Sequence, residues 1–182
     1  MNLVIMGPPG AGKGTICNSI ISEYNYNLIC AGDLLRAEKA SGSKLGEKIA
    51  SIIDGGNLVP DEMITTLIIN ELKKPVGHKT FYLIDGYPRT INQAQSLDGM
   101  LNIKNVIWIN VSEETTIKRN LKRGETSGRP DDSNVEVIKE RLREYNEVSK
   151  PLKQFYRNRL TEIDGEGTPD EVYHELIKNI IK

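Results

Sequence analysis

Residues 7–15 read GPPGAGKGT, and no other stretch constrains the fold as tightly. They supply G-x-x-x-x-G-K at Gly7, Gly12 and Lys13, followed by Gly14 and Thr15. The strict pattern has Ser or Thr directly after Lys, so Gly14 is a departure. The loop needs an apolar strand before it and a helix after it. Residues 3–6 read as that strand and residues from 13 to about 24 as that helix. Glycines let backbone N–H groups turn inward around a phosphate without Cβ clashes. The helix then aims its positive end at the anion. The expected ligand cradle is Gly10, Ala11, Gly12, Lys13, Gly14 and Thr15. Lys13 adds a compact charge, and Thr15 offers a hydroxyl to a phosphate or its metal.

Short apolar runs at 28–30, 81–84, 106–111 and 160–163 read as further strands, separated by amphipathic helical patterns. Leu45, Ile49, Ile52 and Ile53 share one face before a stop at Gly55 and Gly56. Ile64, Leu67, Ile68 and Leu72 share another. Thr168, Pro169 and Glu171 spell a helix start with cap, first-turn proline and reciprocal glutamate. Such alternation predicts an α/β fold with a central parallel sheet covered on both faces. Two regions do not fit it. Residues 32–73 hold several helical patterns and no strand, and residues 124–134 are Gly-rich and polar, as a loop is. Both are expected to be moving parts.

The run at 81–85 ends in Asp85, which a parallel sheet would present at its carboxyl edge, where ligands bind. Beside a phosphate loop this carboxylate reads as a Mg²⁺ holder acting through water; by itself it reads equally as a turn residue before Gly86. Arg119 and Arg123 are i and i+4, so they share a helical face. A shared anion would relieve their repulsion. Equally, basic residues late in a helix that starts with Glu113 and Glu114 complement its dipole.

The remaining motifs resemble those of adenylate kinases and their relatives the UMP/CMP kinases over nearly the whole chain. They are CAGDLLR at 30–36, GNLVPDE at 56–62, DGYPRT at 85–90 and RNLKRGETSGRPDD at 119–132, with GPPGAGKGT as the family's form of the loop. The resemblance implies a P-loop NTPase three-layer sandwich. It further implies one domain over 1–182, with a helical nucleoside-monophosphate-binding insertion at 31–60 (helices continuing to about 73) and a short lid at 124–134. It implies ATP contacts at Arg119, Arg123 and Gly167. On the acceptor side it implies Ala31, Arg36, Asn57, Leu58, Val59, Gly86, Tyr87, Pro88, Arg89, Gln93, Arg129 and Arg141. The catalytic set is Lys13, Arg89, Arg123, Arg129 and Arg141, with Asp85 and Thr15 toward Mg²⁺. The stretch from 130 to 140 is one residue longer than the family's spacing to Arg141, which puts that arginine's register in question.

The implied reaction is Mg²⁺-dependent, ATP plus AMP giving two ADP, with UMP or CMP as alternative acceptors. The nucleophile is then a phosphate oxygen already largely ionised at pH 7, so positive charge and positioning replace a general base. Acceptor choice rests on two residues that disagree. Gln93 resembles the adenylate kinases, and Ala31 the UMP/CMP enzymes. Gln93 carries more weight because its amide can bond a base edge directly.

Composition removes other classes. Net charge is −1, and the basic cluster at 118–129 lacks interleaved aromatics, so no nucleic-acid partner is expected. Residues 1–6 lack the basic start of a signal peptide, and no apolar run approaches the ~20 residues of a membrane span. Cys17 and Cys30 form neither a C-x-x-C pair nor a disulfide framework. A cytoplasmic monomer is expected. A GTP switch would need N-K-x-D, which is missing. A small-metabolite kinase using Asp33 as base is disfavoured by DGYPRT and by Arg36 beside Asp33.

Overall fold

The computed structural model describes residues 1–54, 57, 59–78, 81–127 and 130–180. Five parallel strands form one sheet in the order β2-β3-β1-β4-β5. They are β1 (Asn2–Met6), β2 (Tyr26–Cys30), β3 (Phe81–Asp85), β4 (Ile103–Asn110) and β5 (Leu160–Asp164). The helices are α1 (Lys13–Glu23), α2 (Ala31–Ala40), α3 (Lys44–Asp54), α4 (Asp61–Leu72), α5 (Ile91–Met100), α6 (Glu113–Ser127), α7 (Val135–Phe155) and α8 (Pro169–Ile180).

The central strand explains why the sheet is covered twice. Side chains alternate across a strand. Leu3 and Ile5 join a core with Ile16 and Ile20 of α1 and Val172 and Leu176 of α8. Val4 and Met6 join the opposite core with Ala94 and Leu97 of α5 and Leu152 of α7. A strand buried on both faces must be apolar throughout, which is why 3–6 lacks alternation. Trp108 of β4 packs beside Tyr145 of α7, with ring centroids 6.2 Å apart.

Several boundaries moved. β2 starts at Tyr26, because Tyr26 and Asn27 pair with Phe81 and Tyr82 of β3. β4 starts at Ile103, where Asn2 of β1 provides a partner. The larger difference is at 124–127, expected as loop and found as the last turn of α6. Gly124 permits this: a Cβ there would sit 2.8 Å from the Asp132 carbonyl oxygen. The glycine that suggested a loop instead lets the 3-10 turn at Pro130–Asp132 press against the helix. Gly128 lies outside the described residues, as do Gly55 and Gly56, the expected stop of α3.

Three helices, α2 to α4, separate β2 from β3, as the strand-free stretch implied. No described helix is long and apolar enough to cross a membrane.

Candidate active site

The loop between β1 and α1 is held from outside. Asn120 of α6 donates its amide to the Pro9 carbonyl at 3.0 Å and to the Thr116 carbonyl at 2.8 Å. This packing requires a glycine next door. Gly10 has φ +88°, and a Cβ on it would meet the Thr116 carbonyl oxygen at 2.7 Å. Lys13 folds back over the loop, donating to the carbonyls of Gly7 (2.8 Å) and Pro8 (3.0 Å). Gly12 is the N-cap of α1 and has no side chain to occupy the helix end. Ala11 is buried, whereas Gly12, Gly14 and Thr15 are exposed at the start of α1.

Asp85 ends β3 directly beside Ile5 of β1 and Cys30 of β2. The strand register therefore carries it to the sheet edge where the loop begins. Its carboxylate is buried, and Oδ1 has no hydrogen-bond partner. Oδ2 faces the Cys30 thiol at 3.6 Å. Burial, with the nearby Asp85 charge, pushes that thiol up to about 11, so it stays protonated.

Two cations, Lys13 and Arg89, lie close to this carboxylate, and each feels a further arginine. Burial lowers the Lys13 ammonium, Asp85 opposes that, and the Arg89 and Arg123 charges add to it. Burial likewise lowers Arg89, which feels Asp85 in one direction and Arg141 in the other. Lys13, Arg89, Arg123 and Arg141 thus share one electrostatic neighbourhood, although the chain separates them widely. Crowded like charges in a partly desolvated cleft form a site an anion would relieve.

Two of these arginines are held by a residue the sequence did not single out. Asp132 is fully buried. It accepts from Arg123 Nε at 2.6 Å and Nη2 at 2.9 Å, and from Arg141 Nη1 at 3.0 Å. Burial opposes its ionisation, but the Arg123 hydrogen bonds and charge, joined by Arg141, hold its carboxyl below the ordinary range. Asp131 adds a second carboxylate to Arg141 at 2.8 Å. The extra residue between 130 and 140 has not carried Arg141 away from Arg123, since both bond Asp132. The repeated Asp in RPDD was the available signal, but nothing local says which carboxylate turns inward.

Arg119 donates to the Gly167 carbonyl at 3.2 Å, so two residues expected on the ATP side meet at one point. Gly167 precedes α8, and its neighbour Thr168 forms the expected reciprocal cap with Glu171.

On the other side, one pocket is lined by Ala31, Leu35, Val59, Asp61, Ile64, Gly86, Arg89, Thr90 and Gln93. Ala31, Val59, Gly86, Arg89 and Gln93 were expected together and are together. Gly86 has φ +75°, and its carbonyl accepts from Arg89 Nε at 3.1 Å. The Tyr87–Pro88 peptide is cis, and the Tyr87 ring lies in the core with its hydroxyl on Thr65 at 2.9 Å. Tyr87 can therefore serve this pocket by backbone rather than by its ring. Arg36 stands apart from the pocket lining, exposed on α2 and paired with Asp33. Asn57 is exposed, its N–H on the Ile52 carbonyl at 3.1 Å. Leu58 and Arg129 lie outside the described residues.

The geometry refines the reading of Gln93. Its amide is buried, with both ends engaged inside the protein. Oε1 accepts from the Arg89 N–H at 2.7 Å, and Nε2 donates to Asp61 Oδ1 at 2.8 Å. Sequence reasoning missed Asp61, which reads there as an ordinary acidic residue in a helix's first turn.

Comparison with known proteins gives the family. A family profile described as adenylate kinase matches residues 5–161. The chain is 41% identical to an adenylate kinase of Thermus thermophilus, over 96% of this chain and 94% of that one. It is 38% identical to adenylate kinase isoenzyme 1 of Gallus gallus, over 99% and 94% respectively. It is 40% identical to an adenylate kinase of Maricaulis maris, over 94% of both. A phosphate loop, neighbouring cations drawn from distant parts of the chain and similarity over nearly its whole length coincide here, and the chain belongs to the adenylate kinase family of nucleoside monophosphate phosphotransferases.

Proposed function

We propose that this enzyme transfers the terminal phosphoryl group of Mg-ATP reversibly to AMP, forming two ADP. The observation that carries the proposal is the convergence of Lys13 and Arg89 on Asp85, with Arg123 and Arg141 near them on Asp132, next to the Gln93-lined pocket. AMP occupies that pocket, with Ala31, Val59 and Gly86 against its base and Arg89 on its phosphate. Arg36, Asn57, Leu58 and the backbone of Tyr87 and Pro88 complete the acceptor side. ATP lies along residues 10–15, with Arg119 and Gly167 at its adenine end.

The acceptor phosphate has its second pKa near ~6 and needs no base to attack. Arginine forks hold two phosphate oxygens at once, aligning acceptor and donor and neutralising charge as it moves. Asp132 keeps Arg123 and Arg141 preorganised, so their reorganisation is not required at the moment of transfer. Arg129 belongs to the same set.

Mg²⁺ fits the residues present. A buried carboxylate oxygen without a hydrogen-bond partner, Asp85 Oδ1, is suited to a metal-bound water, and the Thr15 hydroxyl stands free at the start of α1. When bound, the ion withdraws charge from the β- and γ-phosphates. Residues 31–73 and 124–134 close over the nucleotides and exclude water, which suppresses ATP hydrolysis. The enzyme works as a cytoplasmic monomer, without nucleic-acid or membrane partners.

The test is ADP formation from Mg-ATP with AMP, CMP, UMP or no acceptor at equal concentrations. Fast turnover with AMP is expected. Preference for CMP or UMP would overturn the assignment of the acceptor and favour the reading of Ala31.

A further inference from the structure

Asp61 and Gln93 are 32 positions apart and share a hydrogen bond that joins α4 to α5. The bond belongs to a closed circuit. Thr90, the N-cap of α5, donates its hydroxyl to Asp61 Oδ2 at 2.6 Å and accepts the Gln93 N–H at 3.2 Å. Gln93 Nε2 returns to Asp61 Oδ1, and Gln93 Oε1 takes the Arg89 N–H. Three of these residues line the same pocket as Arg89.

A primary amide can usually rotate end for end at little cost, and its two ends present opposite chemistry. Here rotation is blocked by chemistry rather than by shape. A carboxylate has no proton to give, and a backbone N–H has no lone pair. Reversing the amide would set oxygen against oxygen at Asp61 and N–H against N–H at Arg89. Both conflicts would fall on a buried amide, where unmatched polar groups are costly.

We propose that Asp61 is a specificity-determining positioning residue, which locks the Gln93 amide so that the pocket accepts amino bases and refuses their oxo counterparts. The inference rests on this pocket taking the acceptor base. After its two internal bonds the amide keeps one N–H on Nε2 and one lone pair on Oε1. That pair complements a ring nitrogen acceptor beside an exocyclic amino group. Adenine offers this at N1 and its 6-amino group, and cytosine at N3 and its 4-amino group. Hypoxanthine and uracil present the reverse, a ring N–H beside a carbonyl. The lock therefore reads donor and acceptor order and does not by itself separate purine from pyrimidine.

The experiment measures kcat/KM with Mg-ATP for two acceptor pairs, AMP against IMP and CMP against UMP, in the wild-type chain, Asp61→Ala and Asp61→Asn. Thermal unfolding is recorded for each. Wild type favours the amino member of both pairs. In Asp61→Ala only the Arg89 N–H still orients the amide, and both preferences fall by about tenfold or more, because discrimination of this kind depends on polar groups left unpaired. In Asp61→Asn the side-chain carbonyl still accepts from Gln93 and the amide donates to Thr90, so the preferences return to near wild type. A merely structural role would lower all four rates together and leave the ratios alone. Unchanged ratios in Asp61→Ala, or a ratio in Asp61→Asn as low as in Asp61→Ala, would overturn the proposal. If Asp61→Ala fails to fold, the wild-type ratios decide, since equal use of amino and oxo members sinks the lock. A wild-type preference for CMP over AMP would remove the AMP assignment while leaving the lock standing.

Discussion

At the scale of single residues, the site depends on charges held in place by other charges. Lys13 is tethered to the Gly7 and Pro8 carbonyls. Lys13→Met keeps the stem and removes the charge. It should lower kcat by about 10²–10³-fold, the usual cost of one preorganised donor, with an unfolding temperature close to wild type. Asp132 is different because it also stabilises the fold. It is the buried partner of two partly exposed arginines, and Asp132→Ala leaves Arg123 without a carboxylate and Arg141 with Asp131. About 3 kcal/mol of stability should be lost, the lower end for a broken buried ion pair. Its pH signature has a definite sign. The folded carboxyl is held below its ordinary value, so its contribution is complete above about pH 4. That contribution is lost as pH falls through the folded pKa. Acid unfolding of wild type should therefore be steeper than that of Asp132→Asn; parallel acid limbs would contradict the clamp.

At the scale of elements, most of what the sequence announced is present because it was local. The cap at Thr168 and Glu171 needs only four consecutive residues, and it forms as read. Thr168→Ala should cost about 1 kcal/mol in chemical denaturation, as a lost N-cap does. The phosphate loop is local too, but its fit against α6 is not. Gly10 meets Thr116 and Asn120 across more than a hundred residues. Gly10→Ala combines overpacking with positive φ and should cost about 2–3 kcal/mol, while raising KM for ATP. A stability change below half that value would mean α6 can move aside. The misread turn at 124–127 has the same origin. A glycine in a polar stretch reads as a loop unless the close approach of Asp132 is known.

At the scale of the whole molecule, the parallel sheet collects at one edge what the chain scatters. β1 delivers the loop, β3 delivers Asp85, and α6 and α7 deliver Arg123 and Arg141. Among the described residues no group of three or more His, Cys, Asp or Glu could hold a metal by itself. In the proposed reaction Mg²⁺ arrives with the nucleotide. Chelation with EDTA should abolish ADP formation and leave the unfolding curve of the free protein unchanged; a lowered melting temperature would mean a structural ion.

Sequence alone determined the fold class and the phosphate loop, because these are written in contiguous strings with fixed local physics, and it identified the family through the resemblance of its motifs. Apolar runs, glycines at a strand-to-helix turn and a capping box need no distant partner to be recognised. Tertiary structure alone decided which carboxylate of RPDD turns inward, that Gly124 is a packing glycine, and that Gln93 is locked by Asp61. Each of these depends on a donor meeting an acceptor, or a backbone meeting a missing Cβ, between segments the chain keeps apart. Only the folded sheet and its helices bring them within hydrogen-bonding distance.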